Sequence, residues 1–304
     1  MAARGATIAE GSMASDATRH EFGAGGVAAA VLAQGAELCR LQDNTGLDYL
    51  WPAGPAWPRH APVLFPIVGR LRNDTLRHQG KTYHLTQHGF ARDLRFTWLD
   101  RSPDGCRLAL TDAPETRAAY PFAFRLEIAY TAREATIEAT YTITNTGDET
   151  LPVSLGTHTA FRWPLLPGTA KEDFFLTFEA DEPAPLRGVQ GGLLTPATRP
   201  SPINGRHLSL TESLFAADAL ILPAPASRSL RYAAAQGPGL TIAWHGFPQL
   251  GLWSRAGGDF VCIEPWHGMA SPADFDAEFS EKPWLMLIAK GESRKASLSI
   301  SVSQ

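Results

Sequence analysis

Residues 124–145 read FRLEIAYTAREATIEATYTITN, and this stretch decides the fold class. Phe124, Leu126, Ile128 and Tyr130 alternate with Arg125, Glu127 and Ala129; Ile137, Ala139, Tyr141 and Ile143 alternate with Glu138, Thr140 and Thr142. Apolar side chains at every second position share one face of an extended chain, so each run predicts a strand with one buried face. TAREA between them serves as the connection of a hairpin. The stretch ends in Asn145-Thr146-Gly147-Asp148, turn chemistry because Asn and Gly tolerate positive φ, and LPVSLG then begins a new strand.

The same signal recurs toward the C-terminus. Leu298, Ile300 and Val302 alternate with serines, and Leu240 to Trp244 reads as a shorter strand. Amphipathic helical periodicity over three turns is hard to find, and 23 prolines and 27 glycines punctuate the chain at short intervals. The reading is an all-β protein with long loops. No repeat of fixed period points to a propeller or solenoid. The Pro/Gly-rich stretch from Asp181 to Asn204 is the best candidate for a domain boundary. Strand signals of one kind flank it and the composition does not shift, so it reads as a long surface excursion. The expected organisation is a single domain over residues 25–304 behind a flexible tail of residues 1–24. That tail is small, polar and non-periodic, and lacks the apolar segment of a secretory signal.

Composition narrows the function. In 304 residues, 44% hydrophobic and 19% charged side chains give ample core and no signature of disorder. Lys+Arg 27 against Asp+Glu 31 leaves a net charge of −4, and no basic run could track a phosphate backbone, which argues against a nucleic-acid partner. No apolar stretch is long enough to predict a membrane span. Cys39, Cys106 and Cys262 are odd in number and lack metal-ligand spacing, so neither a disulfide framework nor a metal site is expected, and a cytoplasmic setting fits.

Four segments concentrate polar, aromatic and titratable residues. In the run from Pro62 to Asn73, an apolar stretch ends in Gly69-Arg70 and delivers a guanidinium to a defined place; a capped strand end with a surface arginine explains it as well. In Gln87-His88-Gly89-Phe90-Ala91-Arg92, a histidine and an arginine flank a small-residue turn, which suits a sugar whose hydroxyls must be satisfied on leaving water, or an ordinary loop. His158 follows an alternating strand and Gly156; histidine titrates near neutrality and suits proton transfer, though a lone one is more often structural. Glu264 ends the apolar run Phe260-Val261-Cys262-Ile263, where desolvation raises a carboxyl pKa. Glutamate is rarely buried without a reason, so at this segment the functional reading prevails.

Taken in order, FPxxGRL (65–71), QHGFAR (87–92), GxHxAF (156–161) and EPWxG (264–268), with GKTYHL between the first two, resemble the aldose 1-epimerase or galactose mutarotase family. Gly35-Ala36-Glu37-Leu38 and Gly291-Glu292-Ser293 extend the likeness from about Gly25 to the C-terminus. The resemblance implies a galactose mutarotase-like β-supersandwich of two large antiparallel sheets with a cleft on one face. It implies interconversion of the α and β anomers of an aldose or sugar phosphate without a cofactor, Glu264 acting as base at the anomeric hydroxyl and His158 as acid at the ring oxygen. Arg70, His88 and Asp218 match the substrate-binding positions. Better-known members carry GRxxNR where Gly69-Arg70-Leu71-Arg72-Asn73 has no arginine after the asparagine, so Arg72 and Arg92 compete with Arg70. Trp266 and Phe161 are expected to line the cleft. The partner is a small sugar, with the chain a monomer or weak homodimer. A glycoside hydrolase would ordinarily need two carboxylates flanking the bond and would leave His158 without a role. A non-catalytic carbohydrate-binding protein of the same fold is the alternative, and it would not need an acid–base pair.

Overall fold

A computed structural model describes residues 18–303. The hairpin forms where the alternation predicts it: Phe124–Arg133 runs antiparallel to Thr136–Asn145, with Ile128 opposite Tyr141 and Tyr130 opposite Ala139. Its turn is tighter than the five residues of TAREA, only Glu134 and Ala135 lying between the strands. Burial alternates along both strands, as an extended chain with one covered face requires.

The hairpin lies inside a nine-stranded antiparallel sheet. Its order is His207–Ser209, Phe174–Phe178, Ser229–Ala234, Gly239–His245, Ser293–Ser303, Thr136–Asn145, Phe124–Arg133, Gly105–Thr111 and Thr97–Ser102. A second, eight-stranded sheet is ordered Leu193–Arg199, Leu186–Gln190, Leu220–Leu222, Gln249–Trp253, Phe260–His267, Leu155–Thr157 and Val63–Leu64, with Thr159–Arg162 also pairing to Phe260–His267. One contiguous apolar cluster joins the two, uniting Leu126, Ile128 and Ile137 of the first with Leu252, Val261 and Ile263 of the second. This is the all-β supersandwich of two large antiparallel sheets. The α-helix of the described residues is a single turn, Pro114–Arg117, and no helix among them is long and apolar enough to cross a membrane.

Two expectations change. Of the tail expected over residues 1–24, residues 1–17 lie outside the described residues, but Arg19–Ala24 is a strand paired along its length with Val27–Leu32. Phe22 on that strand is buried in the main core, so ordered structure begins before Gly25. The stretch from Asp181 to Asn204 is not a loop excursion. Leu186–Gln190 and Leu193–Arg199 form a hairpin that completes the edge of the eight-stranded sheet. Its alternation is broken by Gly188, at the bulge between Arg187 and Val189, and by Pro196, which hid the strand pattern in the sequence.

Candidate active site

In the eight-stranded sheet the strand Phe260–His267 is buried from Phe260 to Trp266. Alternation sends Val261 and Ile263 into the main core, while Cys262, Glu264 and Trp266 point to the other face. There, Cys262 belongs to an apolar cluster with Ala160 and Phe260, and Trp266 to another with Ile221 and Met269. Glu264 stands between the two clusters, inside the strand.

Register explains its partner. Gly156 pairs with Trp266 and Thr159 with Ile263, so continuing the same ladder sets His158 directly across from Glu264. Pro265 has no N–H to give, and the ladder is interrupted there; Thr157 instead pairs with Val63 on its other side. On the opposite flank, Glu264 faces Gly251. A Cβ at Gly251 would lie 2.3 Å from the Trp266 ring, so the glycine seats that indole against the sheet.

The result is a histidine–carboxyl pair, with His158 Nε2 3.3 Å from Glu264 Oε2. Glu264 is 1% and His158 8% exposed. Aromatic rings enclose the imidazole: Trp57 stacks on it at 4.8 Å and Trp253 meets it edge-on at 5.6 Å. Burial pushes the Glu264 carboxyl well above its ordinary value, opposed by Trp266 and reinforced by Asp218. Burial likewise lowers His158 to about 3, with Arg92 and Arg59 acting in the same direction. Each neutral form is favoured for the same reason, the low dielectric around the pair, so the site holds one transferable proton on the carboxyl.

The pair opens into a cleft of about 290 Å³. His88 and Asp218 line it together with His158, Glu264 and Trp266. His88 sits in the left-handed region at φ 67, followed by Gly89, whose Cβ would fall 2.3 Å from the Phe65 carbonyl oxygen. This turn carries the imidazole to 5.7 Å from that of His158, edge to face. Gly69 N–H donates to His88 Nδ1 at 3.1 Å. Burial, then His158, Arg92 and Arg59 hold His88 well below its ordinary pKa. A neutral ring that accepts at Nδ1 carries its proton on Nε2, so His88 is a fixed donor. Asp218, exposed on the cleft lip at φ 80, keeps one carboxylate oxygen on the Ala219 N–H at 2.7 Å.

The structure places a different arginine in the cleft from the one that motif position favours. Arg70 lies outside the cleft wall, exposed, and its guanidinium forks onto Asp74 through Nε and Nη2 at 2.7 Å each. Arg72 turns to Asp276 at 3.7 Å. Arg92 lines the cleft instead. The i to i+4 spacing of Arg70 and Asp74 satisfies the first guanidinium locally, whereas the turn at Gly89 brings the later arginine back beside His88. Phe161 is also corrected: it is fully buried in the main core, beside Tyr232, because it faces the opposite side of its strand from Ala160. Trp266 lines the cleft as expected. Trp57, Trp253, Gln87, Val189 and Gly192 also line it and were not singled out from the sequence. For Trp57 a signal existed, a large aromatic residue in the turn-rich WPAGPAWPRH.

The cysteines have no metal-ligand spacing in sequence, yet the fold brings Cys262 to the pair. The ligand atoms of His158, Cys262 and Glu264 all lie within 4.8 Å of one another. Burial pushes the Cys262 thiol well up, and Glu264 adds to this, so it stays a neutral thiol packed beneath the pair.

Two large antiparallel sheets with a buried histidine–carboxyl pair on the cleft-facing side of one form a galactose mutarotase-like β-sandwich, and the sequence comparison agrees. Residues 19–301 match the aldose 1-epimerase family, and the chain belongs to it. It is similar to the chromosomal LacX protein of Lactococcus lactis subsp. lactis, 32% identical over 280 residues, covering 88% of this chain and 94% of that protein. A galactose mutarotase related enzyme from Lactobacillus acidophilus superposes with a TM-score of 0.86 at 29% identity, over 94% of this chain and 97% of that one. A galactose mutarotase-like protein from Lactobacillus casei ATCC 334 superposes at 0.87 with 26% identity, over 94% and 100%.

Proposed function

We propose that the protein is an aldose 1-epimerase that opens and recloses the ring of an aldose or sugar phosphate, and that His158 and Glu264 are its catalytic residues. The observation that carries this reading is the 3.3 Å contact between the two, both buried and both lining the cleft. A hemiacetal carbon bears two oxygens, the anomeric hydroxyl and the ring oxygen. Two adjacent groups that share one proton can serve both at once.

Glu264 as carboxylate takes the proton of the anomeric hydroxyl, and the O–H electrons form the carbonyl. The electron pair of the C1–ring oxygen bond leaves with that oxygen, which takes a proton from the His158 imidazolium. Rotation about C1–C2 presents the other face of the aldehyde, and the reverse transfers close the ring as the other anomer. The pair holds one transferable proton throughout, on His158 with the cyclic sugar and on Glu264 with the open aldehyde. Burial favours the second arrangement in the empty site, and transfer between Oε2 and Nε2 connects the two. His88 Nε2–H is a donor for a sugar oxygen, Asp218 an acceptor for a hydroxyl, and Trp266 a flat surface for a C–H face.

The test is anomer exchange of freshly dissolved α-D-glucose and α-D-galactose, followed by polarimetry or NMR. Acceleration is expected, with His158→Ala and Glu264→Gln each lowering it by roughly 10²–10⁴-fold while the circular dichroism spectrum is kept. Saturable sugar binding with no acceleration would instead favour a non-catalytic carbohydrate-binding protein.

A further inference from the structure

We infer that the cleft selects an aldose carrying an anionic group on C6, a phosphate ester or a carboxylate, received by Arg92 with Arg59 behind it. This rests on the aldose 1-epimerase reading and fixes which way round the sugar lies.

Arg92 and Asp218 are the oppositely charged side chains of a cleft otherwise walled largely by apolar residues. Arg92 belongs to the loop that also carries Gln87 and His88; Arg59, two residues after Trp57, reaches that loop at the Arg92 carbonyl oxygen, and Trp57 stacks on His158. Asp218 precedes Ala219 and Ile221, which pack with Trp266 on the other side of Glu264. The fields agree with this placement: Arg92 and Arg59 act on His158 and His88, and Asp218 acts on Glu264.

The covalent order of an aldopyranose then sets the orientation. His158 serves the ring oxygen, whose other neighbour is C5, and C5 bears C6. Glu264 serves the oxygen on C1, next to C2 and its hydroxyl. The C6 substituent therefore leaves the ring on the arginine side, and the C2 end faces Asp218.

Arg92 is incompletely satisfied where it stands. Nη2 donates to the Gln87 carbonyl at 2.7 Å, but Nε is buried with no hydrogen-bond partner among the protein's groups. Its nearest carboxylate, Asp93 at 3.7 Å, is already taken by Arg59 at 2.7 Å. Arg59 Nη1 also reaches the Arg92 carbonyl oxygen, at 3.5 Å. Two guanidinium groups thus share one carboxylate, and a partly buried positive charge is left over beside the cleft. A guanidinium with an unpaired donor and a net charge suits an oxyanion better than a neutral hydroxyl, because bonds between charged partners are roughly twice as strong as neutral ones.

The experiment measures kcat/KM for anomer exchange of D-glucose, D-glucose 6-phosphate and D-glucuronate, each corrected for its own rate without protein, in a buffer free of phosphate. An anionic sugar should exceed D-glucose by roughly 10- to 100-fold. The ratio should collapse in Arg92→Gln, recover in part in Arg92→Lys, and shrink in the wild type as salt is raised. The ester outrunning the uronate, or the reverse, identifies which oxyanion fits. Equal rates on all three sugars, with Arg92→Gln lowering them alike, would overturn the inference and leave the epimerase reading intact. Binding decides the matter where no sugar is turned over. Tighter calorimetric binding of 1,5-anhydro-D-glucitol 6-phosphate than of 1,5-anhydro-D-glucitol, lost in Arg92→Gln, supports the anion subsite; no preference in the wild type refutes it without any variant.

Discussion

The hairpin Phe124–Arg133/Thr136–Asn145 and the strand Phe260–His267 are both regular antiparallel structure, but they meet solvent differently. Every second residue of the hairpin is buried and the intervening Arg125, Glu127 and Thr140 are not. Along Phe260–His267 both faces are covered. On the hairpin a polar side chain keeps its water, so polarity there carries no information about chemistry. On the covered strand a carboxyl is stripped of solvent and must find a partner or change its protonation. Glu264 does both, with His158 across the ladder and a raised pKa. One element makes the fold and the other spends stability on a site.

The contrast is sharpest when the two elements are mutated in parallel. The loss expected of Glu264→Gln, roughly 10²–10⁴-fold in exchange rate, should come with no loss of fold. Ile128→Ala should do the reverse. Ile128 is fully buried in the main core, and truncating such a side chain costs about 2–5 kcal/mol through lost burial and the cavity left behind. Chemical denaturation should show that loss, with exchange per folded molecule unchanged. If Ile128→Ala instead abolished turnover in molecules that remain folded, the division between scaffold and site would be wrong.

A smaller effect tests the claim that Glu264 costs stability. Its carboxyl keeps the proton in the fold to a pH well above the ordinary 4.5. Above that ordinary value the unfolded chain releases a proton that the folded one retains, so stability present below about pH 4.5 is lost as pH rises. His158 works in the opposite sense: lowered from 6.5 to about 3, it costs stability as pH falls through that window. Glu264→Gln cannot ionise, so its Tm should exceed that of the wild type by about 2–4 °C at pH 8. The gap should close toward pH 4. Equal melting temperatures at pH 8 would show that the carboxylate is fully compensated in the fold.

The hairpin was legible because alternation is a local property, and each of its residues reports its own face. The same logic reached Glu264, since a carboxyl at the end of Phe-Val-Cys-Ile is out of place in any apolar run. His158 was not decidable from its neighbours. Its role depends on a register in which it meets a residue more than a hundred positions away, and that register is a property of the sheet. Ordered motifs shared with the family supplied what local chemistry could not. The hairpin Leu186–Gln190/Leu193–Arg199 was lost because Gly188 and Pro196 mimic loop composition while serving a bulged edge. Trp57 and Trp253 converge on His158 from separate segments, and only the fold shows that they share one imidazole.

The structure places Arg70 outside the cleft and Arg92 in its lining, a difference that can itself be tested. Motif position favoured Arg70, but a motif fixes where a residue lies along the chain and not what its side chain touches. Asp74, four residues on, offers both carboxylate oxygens to the guanidinium and holds it outside the cleft wall. Only its stem approaches the site, with Cδ 3.4 Å from where a Gly192 Cβ would stand. An exposed pair of this kind contributes little to stability, and the salt bridge holds the Nε–Nη2 edge of the guanidinium on Asp74. Arg70→Ala should therefore leave Tm unchanged within error and KM within about twofold, as for surface substitutions remote from a site. A tenfold rise in KM would mean that the guanidinium leaves Asp74 when sugar binds, restoring the role that its motif position suggested.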